Sequence, residues 1–446
     1  MFDFNPDTLS QITDEVLAIA RRKGASDCAV DLSENSGLSV NVRKGKVETI
    51  EQTRDKGLGV TVYLGKRRGY ASTSDLSQEA LERTVGAAYD IARHTGEDDC
   101  AGLPDPDTLA TEFPDLDLYH PWSISAEEAV RLATRMEAAA FDVSPLITNS
   151  EGASVNVGDG HFMAANSLGF KGGYPYSRHS IGCAPIAGSG QRMQRDDWYS
   201  SSCSPQRLAD PEAVGRYAAQ RALSRLDSRT LSTRKVPVLF EAPLACGLLG
   251  HLVQATSGSA LYRKSTFLVD SLGQQVMAPH IDIVEDPEIP AESGSSAFDS
   301  EGVATRRRRL VSGGVLNGYF LSTYSARKLG MKTTGNAGGS HNLFLTSRLT
   351  RHLDDLDAML KRMDRGLFVT ELMGQGVNYV TGDYSRGASG FWVEKGRIQY
   401  PVEEITIAGN LRDMFRQIVA VGSDVIQRGT KNIGSVLIEQ MAVAGA

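Results

Sequence analysis

Asp383, Tyr384, Ser385 and Arg386 stand side by side between Gly382 and Gly387. A carboxylate, a phenol, a hydroxyl and a guanidinium in consecutive positions are functional groups that a loop could present. Gly374, Gly376, Gly382, Gly387 and Gly390 crowd the same stretch. Glycines at that density weaken a strand and allow tight turns or close backbone approach by another chain or ligand. The pattern predicts short strands over 377–381, 390–393 and 398–402, with Asp383, Tyr384 and Arg386 on a loop between them. On the residues alone a run of hairpins whose glycines only turn corners is the favoured reading.

Two histidines add chemistry. His251 falls near the C-terminal part of an apolar helix, where the helix dipole favours an imidazolium. His341 lies in the Gly-rich stretch Gly338-Gly339-Ser340-His341-Asn342. The other six histidines (His94, His120, His161, His179, His280, His352) are scattered, and none has a second histidine within a helical turn. The residues alone therefore provide no zinc site of the H-E-x-x-H kind. Neither a dinucleotide-binding nor a Walker-type glycine loop occurs in a suitable setting. Asp299 and Glu301 would share one face of a strand, as an acid–base pair or as a solvated edge. Arg306 to Arg309 would alternate faces in a strand, so they do not form one basic patch.

The elements that must position these groups fall into two parts. Residues 7–23 read as an amphipathic helix, with Leu9, Ile12, Val16 and Ile19 at helical spacing. Alternating apolar residues predict strands over 28–32, 38–42, 47–52, 57–64 and 67–73, with a hairpin turn at Gly65-Lys66. A second helix spans 75–94, with Leu76, Leu81, Val85, Ala88 and Ile91 inward and Ser74-Asp75 as its cap. Residues 95–121 form an Asp/Pro/Gly-rich connector. Helices over 125–141, opened by a capping box, and 210–226 flank further strands at 147–157 and 160–168.

From residue 231 the pattern becomes β-rich. Strands are expected at 236–240, 267–272, 281–284, 303–310, 315–321 and 435–438, and helices at 242–255, 353–363 and 411–421. The fold class is α+β. An N-terminal α+β domain with an antiparallel sheet covers 1–230. A C-terminal β-rich domain, with a curved or barrel-like sheet and flanking helices, covers 231–446.

A chain of 446 residues carrying a net charge of −7 is a poor nonspecific nucleic-acid binder. No apolar run is long enough to cross a bilayer, and the first residues do not read as a signal peptide. Cys28, Cys100, Cys183, Cys203 and Cys246 form no CxxC pair, which fits a reducing, cytoplasmic location.

Long stretches of the C-terminal part carry a resemblance. They are GHLVQATSGSALYRKSTFLVDSLGQQV (250–276), AFDSEGV (297–303), STYSARKLGMKTTGNAGG (322–339) and VTELMGQGV…TGDYSRGASGFWVE (369–394). In this order they resemble the TldD/PmbA family, formerly described as modulators of DNA gyrase. The similarity covers most of 236–446 and extends more weakly toward the N-terminus. It implies a cytoplasmic metalloprotease that degrades or processes unfolded peptides, among them antibiotic precursors and an antitoxin.

In the family's catalytic branch an HExxxH helix and a distal cysteine bind zinc. Those positions fall here on Glu241, Ala242, Pro243, Leu244, Ala245 and Cys246, and the tail lacks the cysteine. The resemblance thus implies no metal and no cofactor on this chain, and zinc on a TldD-like catalytic partner in a heterodimer. This chain would be scaffold and substrate channel. Gly374, Gly376, Tyr384 and Arg386 would contact an extended peptide, and His251, His341 and Asp383 would be further polar groups of the cavity. The alternatives are a homodimeric binding protein without peptidase activity, and a self-sufficient hydrolase using Cys246 or His251.

Overall fold

The computed structural model describes residues 2–445. α1 (Pro6–Arg22) starts behind Asn5, whose side chain accepts from the Thr8 N–H, with Pro6 in the first turn where its missing N–H is no loss. It packs through Leu9, Val16 and Ile19 onto β1 (Asp27–Arg43) and β2 (Lys46–Leu64). β3 (Arg67–Thr73) returns through the Gly65-Lys66 turn. α2 (Gln78–His94) is capped by Ser77 rather than by Ser74-Asp75. Its inner face is Leu81, Val85, Ala88 and Ala92, and Ile91, expected inside, is exposed. The spacing explains this, since Ala92 continues the i, i+4 series from Ala88 and Ile91 falls to its side.

α3 (Ala126–Phe141) opens with the expected capping box between Ser125 and Glu128. Then come β4 (Ile147–Asn166), β5 (Lys171–Gly172), β6 (Pro175–Ala187), β7 (Gln194–Arg195), β8 (Trp198–Ser202) and α4 (Pro211–Ser224). The strands make one antiparallel sheet in the order β3-β2-β1-β4-β6-β7, with β5 on β4 and β8 on β6. β1 explains how four helices share this sheet. Val30 and Leu32 join the core under α1 and α2, while Leu38, Val40 and Val42 join the core under α3 and α4. All five have the same parity, so the helices lie on one face.

The remaining chain runs β9 (Arg234–Phe240), α5 (Ala242–Ala255), α6 (Gly258–Tyr262), β10 (Ile281–Asp286), β11 (Arg308–Ser312), β12 (Val315–Leu316) and α7 (Thr323–Lys328). It continues with β13 (Asn342–Ser347), α8 (Leu356–Met363), β14 (Gly366–Met373), β15 (Asp383–Glu394), β16 (Arg397–Asn410) and α9 (Leu411–Arg416). β17 (Ile418–Val421), β18 (Ile426–Arg428), β19 (Lys431–Ile433) and β20 (Val436–Ala444) complete it. β16, β15, β14, β9 and β20 form a barrel that closes where Thr406–Ala408 pairs with Ala442–Ala444. β17 hangs on β20 outside the closure. A second sheet has the order β12-β11-β10-β13-β19-β18. The α+β class and the barrel-like C-terminal sheet are as expected.

Several elements differ from expectation. Of the strand expected over 303–310 only the start of β11 from Arg308 is laddered, since Val303 and Ala304 make single bridges to Leu109 and Phe298, and of that over 315–321 only β12 remains, Phe320 making a single bridge to Ser257. Residues 267–272 are turns, with Phe267 N–H donating to the Tyr379 carbonyl at 2.7 Å. The helix expected over 411–421 ends at Arg416, because the apolar run from Ile418 pairs with β20 instead. Residues 377–381 form no strand, only a bridge from Val377 to Tyr384.

Candidate functional site

Asp383, Tyr384, Ser385 and Arg386 begin β15 and are not on a loop. Alternation along the strand splits them. Tyr384 is buried and Arg386 half-buried, whereas Asp383 and Ser385 are exposed. Pairing of Asp383–Arg386 with β16, continued from Gly387 by pairing with β14 on the other side, overrides the glycine-rich local sequence.

Tyr384 and Arg386 face α5. The α5 residues Pro243, Leu244, Gly247, Leu248 and His251, spaced three and four apart, share one helical face. With Leu372 of β14 and the two β15 side chains they line a cleft of about 160 Å³. Gly247 lines it from an exposed position, and a Cβ there would meet nothing within 4 Å. The His251 ring lies edge-on to Tyr384, centroids 5.8 Å apart, and its Nδ1 is 2.7 Å from the Tyr379 hydroxyl.

Burial, and then the Arg386 charge, pull His251 down to about 4, so the ring is neutral at physiological pH. The helix-dipole expectation of an imidazolium does not hold, because desolvation outweighs it. Burial pushes the Tyr384 phenol up to about 12, partly offset by the Arg386 charge and by the guanidinium's approach to the hydroxyl, which falls short of a well-formed hydrogen bond. The Tyr384 hydroxyl and Arg386 Nε are buried and have no hydrogen-bond partner among the described residues.

The other sequence candidates lie elsewhere. His341 does not line the cleft: its backbone N–H donates to Glu285 at 2.8 Å and Nε2 lies 2.9 Å from the Gly335 carbonyl. Asp383 accepts from the Thr381 hydroxyl at 2.6 Å and from Asn410 at 3.1 Å, which hold its carboxyl below the usual range. Gly374 makes a turn at φ +76. Gly376 accepts from the Ser385 N–H at 2.7 Å, and a Cβ there would sit 1.9 Å from the Ser385 carbonyl oxygen. Its lack of a side chain thus serves an internal contact with β15. Asp299 is buried and accepts three backbone N–H groups, from Glu301, Val303 and Ala337, which fix a turn, so Asp299 and Glu301 do not share a strand face; burial raises the Asp299 carboxyl to about 7.

The α5 start is closed to metal. Glu241 takes a two-pronged contact from Arg221, 2.5 and 3.1 Å, and Arg221 also donates to Asp196 at 3.1 Å. Burial disfavours the Arg221 charge, but Glu241 and Asp196 more than compensate and raise its pKa. Arg225 extends the network from Asp196 to Glu371 of β14. Burial raises the Cys246 thiol to about 11 against the pull of Arg428 and Lys431, so it is not a thiolate. No group of three or more His, Cys, Asp or Glu side chains that could hold a metal ion occurs among the described residues. The HExxxH-aligned positions do not fit zinc, which requires converging deprotonated ligands.

Sequence reasoning missed Arg221, Asp196 and Tyr379. The first two come from segments far from Glu241 in sequence, and nothing local marks them. Tyr379 was readable as the first tyrosine of NYVTGDYSR.

The PmbA/TldA metallopeptidase domain models match in order: domain 1 over 28–92, the central domain over 119–226 and the C-terminal domain over 233–445. The chain belongs to the PmbA/TldD metallopeptidase family. It is 50% identical over 429 residues to the metalloprotease PmbA of Escherichia coli, covering 96% of this chain and 94% of that one. It is 45% identical to a metalloprotease PmbA homolog of Haemophilus influenzae, covering 98% and 96%. A Bacteroides thetaiotaomicron structure named for modulation of DNA gyrase superposes with a TM-score of 0.93 at 27% identity, covering 99% and 100%. The Thermococcus kodakarensis TldE structure, at 19% identity and a TM-score of 0.84, covers 97% and 100% and shares the fold.

Proposed function

We propose that this chain is the subunit without its own metal site in a two-subunit metallopeptidase that degrades or trims unfolded peptides. One observation carries the reading. At the α5 start a guanidinium, not a metal, is clasped by Glu241, and Ala242 and a protonated Cys246 complete the stretch where catalytic relatives place HExxxH. Zinc and hydrolysis belong to a TldD-like partner whose corresponding helix keeps its histidines. This chain supplies scaffold and part of the path for extended substrate, with the cleft between α5 and β15 facing that path. All five cysteines are free, which fits a reducing compartment.

The test is the zinc content of the purified chain and its hydrolysis of an unfolded protein. The reading expects substoichiometric zinc and no chelator-sensitive cleavage. Stoichiometric zinc with chelator-sensitive cleavage would overturn it.

A further inference from the structure

The cleft between α5 and β15 contains more polar capacity than the fold uses. Tyr384 is 1% exposed, lines the cleft and leaves its hydroxyl without a partner. Arg386 lines it too, makes no ion pair among the described residues and has a buried, unpartnered Nε. Unpaired buried donors are costly and rare in native structures, and a polar ligand removes the cost. Three of these features share a charge preference. The guanidinium is a permanent cation and a donor only, the phenol stays protonated and able to donate, and the neutral His251 adds no opposing charge. The remaining walls, Leu244, Leu248 and Leu372, are apolar.

We propose that this cleft binds a carboxylate carried on an apolar residue, namely the C-terminal residue of an unfolded peptide. Arg386 and Tyr384 hold the carboxylate by charge-assisted hydrogen bonds, and the leucines take the side chain. The roughly 160 Å³ cleft has the volume of about five waters, so it admits one residue and not a chain passing through. An internal Glu or Asp would supply the carboxylate but would lay its polar main chain against the leucines, which opposes burial. Peptide as the ligand class rests on the function proposed above; the carboxylate preference rests on the cleft alone.

The test uses the full chain by itself and fluorescence anisotropy, so its result does not depend on whether a partner makes the complex active. Three N-terminally labelled unstructured peptides serve as probes. One ends in Leu with a free carboxylate, one is the same sequence amidated, and one is amidated with an internal Glu. The free acid should bind about tenfold or more tightly than the amide, the discrimination of one charge-assisted hydrogen bond. Arg386→Gln should abolish the preference and Tyr384→Phe should reduce it severalfold. Exposed Asp383→Asn should leave it unchanged.

Gly247→Leu fills the cleft without a backbone clash and should remove binding in a chain that melts no lower than the parent. It keeps the test decisive if Arg386→Gln does not fold. Equal binding of acid and amide, or a preference that survives both Arg386→Gln and Gly247→Leu, would overturn the proposal. Equal binding of the internal-Glu and free-acid probes would overturn the C-terminal assignment in favour of a general carboxylate site.

Discussion

Desolvation sets the protonation of the groups around the cleft. His251, packed against Tyr379, Tyr384 and Arg386, stays neutral in the fold down to about pH 4 and takes up a proton near 6.5 when unfolded. Between those values the unfolded state binds more protons, so stability falls as pH drops from 6.5 to 4 and is unaffected by this group above 6.5. The full effect is about 3 kcal/mol. His251→Gln should flatten that part of the melting temperature against pH, and a parent profile already flat there would contradict the assignment. The thiols obey the same rule: Cys28, Cys183 and Cys246 are pushed up to about 12, 12 and 11 by burial. They should resist alkylation at pH 8 in the native protein and react after denaturation, as read by mass spectrometry. Rapid native labelling of Cys246 would revive it as a nucleophile.

Elements decide which of these groups meet. α5 was legible at full length because its apolar spacing and the early Pro243 are local signals. That one of its faces lines a cleft was not legible, since an apolar face reads as core until the opposite wall is known. Only Gly247 hinted at space. β1 read as two short strands because Ser33–Gly37 is polar. It runs on because both edges are paired there, Glu34 opposite Lys56 and His161, with His161 Nε2 2.9 Å from the Glu34 carboxylate.

The glycines of 374–390 signalled turns and close approach, and both occur, but the strand partners that place Tyr384 inward lie outside the stretch. Gly376→Val, which would drive a Cβ into the Ser385 carbonyl, should unseat the start of β15 and lower the melting temperature. Gly247→Ala should raise stability by about 0.5–1 kcal/mol, as an unstrained helical glycine replaced by alanine.

Across the whole molecule, buried charge joins the N-terminal sheet to the barrel. Arg221 and Arg225, at the end of α4, reach Glu241 and Glu371 through Asp196. A more exposed set ties α7 to the connector after α2: Arg327 donates to the Leu103 carbonyl and to Asp105, and Lys328 pairs with Asp98. Arg221→Ala would leave Glu241 buried without its cation and should destabilise the chain by about 3–5 kcal/mol. Arg221→Met with Glu241→Leu should recover most of that, measured by chemical denaturation. If the single and double variants are equally unstable, the pair is not what holds α5 in place. No sequence pattern announces this network, because its members become neighbours only when the sheet docks on the barrel.

The central claim is that this chain works as the metal-free half of a peptidase, and reconstitution tests it most directly. Hydrolysis of an unfolded protein is measured for the purified chain alone, for a purified HExxxH-bearing relative from the same cell, and for their mixture. Activity in the mixture that exceeds either protein alone, and that a chelator abolishes, is the predicted result. A mixture no more active than the relative by itself, with this chain self-associated as a homodimer, would contradict the account and leave a peptide-binding protein in its place.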